Sequence, residues 1–160
     1  MEKWHAYYSV SASAAATLTG LIFVGASINL QKILSFRHLP GRALGTLILL
    51  INILLVSSFC LIPDQSLSDT GMEILILGII IWGFNTRLDI LTLADRTTHY
   101  RLQNLQNLIC TQAAIFPYIV GSIYLLNADP RGFYWLIPGI SMSFIKSLID
   151  AWVLLIEIHR

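Results

Sequence analysis

Two charged residues lie in the middle part of the last long apolar segment of this 160-residue chain, which runs from Phe133 to Ile158. Lys146 stands near the midpoint of that segment, and Asp150 follows one helical turn later. An ammonium and a carboxylate at such a depth are rare, and they mark ion or proton pathways, binding sites or buried ion pairs. The two residues are therefore the first candidates for chemistry in this sequence.

The composition predicts an all-α, polytopic transmembrane helix bundle in a lipid bilayer. Hydrophobic residues make up 56% of the chain and charged residues only 12%, and the mean hydropathy is +0.71. The apolar residues are gathered into runs with almost no polar face, which a soluble helix would need. The net charge of +1 comes with scattered Lys and Arg, so no nucleic-acid partner is expected.

We predict five membrane spans, at residues 8–34, 43–62, 72–94, 105–126 and 133–158. The third is interrupted by Asn85, Arg87 and Asp89, so a four-span arrangement with residues 85–101 lying along the membrane interface is the alternative. Short turns such as Leu39-Pro40-Gly41-Arg42 separate the segments and leave no room for a soluble domain. Residues 1–160 are therefore expected to form a single transmembrane domain.

The distribution of basic residues predicts the orientation, because cytoplasmic loops retain Lys and Arg. With the amino terminus outside and the carboxy terminus in the cytoplasm, the outer loops hold only Lys3 and Arg131. The inner loops then hold Lys32, Arg37, Arg42, Arg87, Arg96, Arg101 and Arg160.

The first segment carries a row of small residues, Ala12, Ala16 and Gly20, at a spacing of four. Such rows let two helix backbones approach closely in a membrane. The row predicts a helix-packing face, used either inside one protomer or in a homo-oligomer or larger membrane complex.

Polar residues are concentrated in one half of the predicted bundle. Besides Lys146 and Asp150, the candidate cluster contains Asn52, Asn85, Arg87, Asp89 and Gln112. On a helix, an ion pair at i and i+4 is weaker when Lys precedes the acid than when the acid precedes Lys. We therefore expect a second partner for Lys146 or Asp150, with Arg87 and Asp89 as candidates. The pattern predicts a polar cavity open to the cytoplasm. An interhelical clamp that fixes helix register is the alternative, as is a charge that reaches out to the interface.

Signatures of catalysis are weak. We identify no catalytic residue, no metal site and no cofactor motif, and Cys60 and Cys110 are placed too far apart for a disulfide. Asp95 and His99 are one turn apart and could together engage a lipid phosphate or a metal, although a solvated loop explains them as well.

The residues Leu21-Ile22-Phe23-Val24-Gly25-Ala26-Ser27-Ile28-Asn29-Leu30, followed by Leu39-Pro40-Gly41-Arg42-Ala43 and Pro63-Asp64-Gln65, resemble a family of small, uncharacterised bacterial integral membrane proteins. The resemblance covers about the first 65 residues and implies a bacterial membrane location without an activity, and we expect this to be the inner membrane. The leading functional hypothesis is a channel or transporter with its cavity at Lys146 and Asp150. A non-catalytic interaction or regulatory subunit is the alternative, and a lipid-acting enzyme at residues 95–101 is the third.

Overall fold

The protein folds into helices that pack side by side in alternating directions. The structure is a computed structural model that describes residues 2–35, 39–94 and 101–159. Within these ranges the helices are α1 (Glu2–Ile28), α2 (Leu30–Ser35), α3 (Leu39–Phe59), α4 (Leu67–Ala94), α5 (Arg101–Leu126) and α6 (Gly132–His159). All except α2 are long and apolar enough to cross a membrane, so the expected five-span helical bundle is confirmed.

Several helix boundaries differ from the predicted ones by a few residues. The first span is Trp4–Ile28. The helix is interrupted at Asn29, whose Nδ2 donates to the Gly25 carbonyl at 3.0 Å, and α2 is therefore a separate short helix. The third span belongs to α4, which continues without interruption to Ala94. The alternative of four spans, with residues 85–101 lying along the membrane interface, is therefore wrong for residues 85–94, which belong to α4.

Contacts between helices fix the two ends of the bundle. Asp89 on α4 contacts Asn107 on α5, and Arg42 on α3 contacts Asp150 on α6, so these neighbours are antiparallel. The starts of α3 and α5 and the end of α6 thus lie together, at an end that we call the basic end after Lys32, Arg42 and Arg87.

The opposite end carries a cluster of aromatic rings and is called the aromatic end. Trp4 lies edge-on to Tyr134, with ring centroids 4.8 Å apart, and Tyr8 donates to the Phe133 carbonyl at 3.2 Å. These contacts join the start of α1 to the start of α6. Trp and Tyr are common at membrane–water interfaces, because one edge of the ring is polar and its body is apolar.

The core lies between α3, α4, α5 and α6, while α1 covers one side of it. Tyr118, Leu136 and Ile140 are fully or almost fully buried. The outward faces remain apolar, with Ile28 on α1 exposed at 78% and Trp152 on α6 at 64%. An exposed apolar belt of this kind is expected where lipid, rather than water, surrounds the helices.

Candidate functional site

The charged turn of α6 faces the inside of the bundle. The buried stripe of α6 recurs every three or four residues and consists of Leu136, Ile140, Ser143, Ser147, Asp150 and Leu154. Lys146 is only 6% exposed and Asp150 only 4% exposed, and the Lys146 ammonium contacts Oδ2 of Asp150. Both charges are therefore removed from lipid and held against neighbouring helices.

A third charged group, Arg42, reaches the pair from α3. Its Nε lies 3.4 Å and its Nη2 3.5 Å from Oδ1 of Asp150. These distances exceed the usual 2.7–3.2 Å of an N–H···O hydrogen bond, so the guanidinium is held mainly by charge attraction. Arg42 lies in the first turn of α3, where Pro40 is tolerated because that backbone position needs no hydrogen-bond donor.

A cleft of about 310 Å³ opens beside these three residues at the basic end. Its wall is formed by side chains from α3, α5 and α6, namely Arg42, Gln106, Asn107, Cys110, Lys146, Ile149, Asp150 and Val153. The volume is at the lower end of the range, roughly 300–1,000 Å³, of pockets that bind small molecules. Five of its eight lining side chains are polar or charged, and the apolar ones are Cys110, Ile149 and Val153.

Asp89 on α4 lies behind this wall. Its Oδ1 accepts a hydrogen bond from Asn107 Nδ2 at 2.9 Å. Its Oδ2 is buried and has no hydrogen-bond partner among the described residues, because the nearby Thr111 hydroxyl donates to the Asn107 carbonyl at 2.9 Å instead. Asp89 also interacts electrostatically with Lys146 and Asp150.

Arg87, the other candidate partner, points away from the pair. Its side chain is exposed, and within the described part of the chain it forms no ion pair with Asp150. Two positions apart on a helix do not share a face, so an inward Asp89 leaves Arg87 outward.

The predicted amides have three different environments. Asn85 is buried, and its Oδ1 lies beside Gly45 on α3 while Nδ2 donates to the Ile81 carbonyl at 3.2 Å. Gln112 joins α4 to α5, because it accepts from Trp82 Nε1 at 2.6 Å and donates to Thr86 Oγ1 at 3.0 Å. The structure thus places Gln112 in a separate contact between helices, away from the cleft wall.

Asn52 lies deeper in the bundle. It is fully buried, and neither polar side-chain atom has a partner among the described residues. Ten residues of helix separate it from Arg42, which corresponds to about 15 Å along α3. Asn52 therefore does not belong to the cleft.

One interpretation of the small-residue row of α1 was packing against other helices of the same protomer. The structure does not show this packing. Ala16 and Gly20 are exposed, and an added Cβ at Gly20 would meet no atom within 4 Å. The adjacent row, which contains Tyr8, Ser11 and Ala15, is the buried one. Packing of the complete Ala12, Ala16 and Gly20 row within one protomer is therefore wrong, and only Ala12 is half-buried.

Sequence reasoning missed three parts of the cleft. Arg42 was assigned to a loop, although its position beside a helix start was a usable signal. Gln106 and Asn107 are amides near the start of α5, where a solvated helix end accounts for polar side chains as well as a cavity wall does. Cys110 is free and exposed, whereas Cys60 is free and buried. The segment with Asp95 and His99 lies outside the described residues.

These features define a multi-pass helical membrane protein with a charged cleft at one end of the bundle. Comparison with protein-family models, with curated proteins and with solved structures gives no match to the chain. The functional argument therefore depends on the geometry of the cleft. Its cations can hold an anion, its carboxylate can hold a proton or a cation, and its amides can orient either.

Proposed function

We propose that this protein is a small membrane channel or transporter whose solute site is the cleft at the basic end. The observation that carries the proposal is the charged triad of Arg42, Lys146 and Asp150 around an open cavity. A charge in the middle of a membrane helix costs about 2.5–3.5 kcal/mol on insertion scales, so its retention favours a function.

The cavity is the feature that favours transport over a purely structural clamp. A clamp between α3 and α6 needs only an ion pair sealed by neighbouring side chains. Here the Arg42 side chain is 28% exposed, and Ile149 and Val153 complete a wall without closing it. A solute that enters the cleft would meet Arg42 before it reached the more deeply buried Asp150.

The proposed orientation places the basic end in the cytoplasm and the amino terminus outside. The excess of Lys and Arg in the loops at that end supports this orientation. The resemblance of the first 65 residues supports a bacterial inner membrane. In this arrangement the cleft collects its solute from the cytoplasm or releases it there.

Reconstitution into liposomes tests the proposal. Proton, ion and small-solute flux would be compared between the wild type and the variants Lys146→Met, Asp150→Asn and Arg42→Gln, with Asp129→Asn as the matched control at the aromatic end. We expect flux in the wild type and the control and a loss in the cleft variants. Unchanged flux in all three folded cleft variants would remove the cleft from the transport path.

A second candidate function is a non-catalytic interaction or regulatory subunit, which packs against a larger membrane complex or against further copies of itself. The exposed row of Ala16 and Gly20 favours it, because small residues that meet no atom of the protomer leave room for another helix backbone. Gly20→Leu should then reduce the assembly mass in native mass spectrometry. Gly83→Leu is the control, since Gly83 is also exposed and open, and equal masses in both variants would count against this function.

A further inference from the structure

The cleft already holds one carboxylate between two cations. Asp150 directs Oδ1 toward the Arg42 guanidinium and Oδ2 toward the Lys146 ammonium. The Asp150 carboxylate therefore shows that these two cations can together bind an oxyanion.

We propose that the cleft binds a small oxyanion, such as a short-chain carboxylate or inorganic phosphate, and that one proton is taken up on Asp89 when the anion enters. The proposal rests on the proposed function, because it specifies the solute class of the same cleft. It adds a second group, Asp89, which does not line the cleft.

The hydrogen-bond donors of Arg42 support an anionic ligand. A guanidinium carries five N–H donors in a planar fork and no acceptor. Only Nε and Nη2 approach Asp150, both on the same oxygen and both at long distance. The remaining donors have no acceptor among the described residues, and the side chain is partly exposed at the cleft. An oxyanion with two oxygens can engage these donors in the paired geometry that arginine favours.

The charge of the wall supports the same conclusion. Arg42 and Lys146 contribute two positive charges and Asp150 one negative charge, so the lining has a formal charge of +1. When Asp89 is protonated, a monovalent anion neutralises this lining charge, whereas a cation increases it. In a weakly polarisable membrane interior, the neutral arrangement is favoured strongly.

Asp89 explains why a proton should accompany the anion. When ionised, Asp89 balances the wall charge in the empty cleft through its interaction with Lys146. An incoming anion then leaves one negative charge in excess. Protonation removes that excess, and the buried, unpartnered Oδ2 is the oxygen that can form the new O–H bond. The proton comes from a hydronium ion or a protonated buffer molecule at the mouth of the cleft, whose bond to that proton breaks as the Asp89 O–H bond forms, and no other bond changes.

Of the two carboxyl groups near the cleft, Asp89 is the one that can accept a proton, as the groups around it show. From α5 it meets the Asn107 amide and the Thr111 hydroxyl, and from α6 it meets the charges of Lys146 and Asp150. On α3 the nearby charge, Arg42, contacts Asp150. Cys110 is the titratable α5 side chain in the cleft wall, and Arg87 on α4 itself points outward. Asp150 is engaged on both oxygens, so Asp89 holds the free carboxylate oxygen.

Isothermal titration calorimetry of the full-length protein in detergent tests the proposal. Sodium acetate, sodium phosphate and, as a cationic probe, methylammonium chloride would be titrated at about pH 7 in two buffers of different ionisation enthalpy, which reports protons taken up per ligand. We expect acetate, phosphate or both to bind, with uptake approaching one proton per anion. Binding of acetate alone identifies a carboxylate site, and binding of phosphate alone identifies an inorganic-phosphate site.

Three variants separate the two parts of the proposal. Asp89→Asn should bind the anion without proton uptake, whereas the matched control Asp129→Asn should keep the wild-type proton count. Arg42→Gln should weaken anion binding at least about tenfold, since it removes a charge-assisted contact. The isosteric Asp89→Asn keeps the proton test independent of any folding defect in Arg42→Gln.

Two results would overturn the inference. One is wild-type protein that binds neither anion or that binds methylammonium instead. Binding of methylammonium would still be compatible with cation transport through the cleft. The other is a proton count that is the same in Asp89→Asn as in the wild type. Wild-type protein that binds the anion but gives no flux in liposomes would instead count against the transport function and leave this inference standing.

Discussion

Nε of Arg42 on α3 lies 3.4 Å from Oδ1 of Asp150 on α6, a residue 108 positions later in the chain. The contact connects the start of one membrane helix to the end of another. It also gives Asp150 a second cation, because Lys146 already holds the other carboxylate oxygen. Two cations that share one buried anion make Asp150 the residue on which the arrangement depends.

Removal of Asp150 should therefore destabilise the protein more than removal of either cation. Asp150→Asn leaves two positive charges without their counter-ion, and loss of one partner from a buried pair costs about 3–5 kcal/mol. Lys146→Met should cost less, because Arg42 still balances Asp150, and Arg42→Gln least, because that side chain is partly exposed. Denaturant unfolding in detergent gives the order. An Asp150→Asn variant as stable as Lys146→Met would show that Arg42 contributes little.

The contact between α4 and α5 depends on Gly71. A Cβ at this position would lie 2.6 Å from the Leu126 backbone nitrogen and 2.9 Å from the Leu125 carbonyl carbon. Because backbone atoms cannot rotate away, Gly71→Ala must separate the two helices, at a cost of about 1–3 kcal/mol.

Gly83 on the same helix provides the control for that substitution. A Cβ there meets no atom within 4 Å, so Gly83→Ala should be neutral or should stabilise α4 by up to about 1 kcal/mol through helix propensity. Thermal unfolding in detergent measures both variants. Equal melting temperatures for the two alanine variants would contradict the close α4–α5 packing.

The loop between α5 and α6 contains a local ion pair with a pH-dependent effect. Arg131 Nε donates to Asp129 Oδ2 at 2.9 Å, and these bonds hold the pKa of Asp129 below its ordinary value. A carboxyl group with a lowered folded-state pKa contributes stability above its unfolded-state pKa, and loses it as pH falls through the folded-state pKa. The effect should be small, because the Arg131 side chain is exposed and Asp129 is only partly buried, so solvent screens the pair.

An NMR titration of the Asp129 carboxyl carbon checks this assignment. Arg131→Gln should raise the pKa of Asp129 toward its ordinary value, whereas Arg42→Gln at the other end of the bundle should leave it unchanged. The same titration midpoint in the wild type and in Arg131→Gln would refute the role of Arg131.

The helices could be predicted because long apolar runs have few alternatives in a membrane. Their ends were less predictable, since polar residues near an interface can either continue a helix or leave it. Thus α3 begins at Leu39, four residues before the predicted start, and this extension places Arg42 on a helix that faces α6. At Asn29 a side chain bonded to the preceding turn divides the first segment in two.

The candidate site was partly predictable for similar reasons. Lys146 and Asp150 could be identified because isolated charges in an apolar segment need partners. Helical geometry alone could have excluded Arg87 once Asp89 was placed inward. The packing face of α1 could not be chosen from the sequence, because small residues such as Ser11, Ala15 and Ala16 occur on adjacent faces. Only the contacts show which row is buried.

Chemical modification of Cys110 tests the central claim most directly, because this thiol is exposed in the cleft wall whereas Cys60 is buried. Solute flux would be measured in oriented vesicles before and after treatment with a membrane-impermeant thiol reagent, with Cys110→Ser as the control. We predict that Cys110 is labelled from the cytoplasmic side and that labelling blocks flux in the wild type alone. Complete labelling of Cys110 with unchanged flux would contradict transport through the cleft.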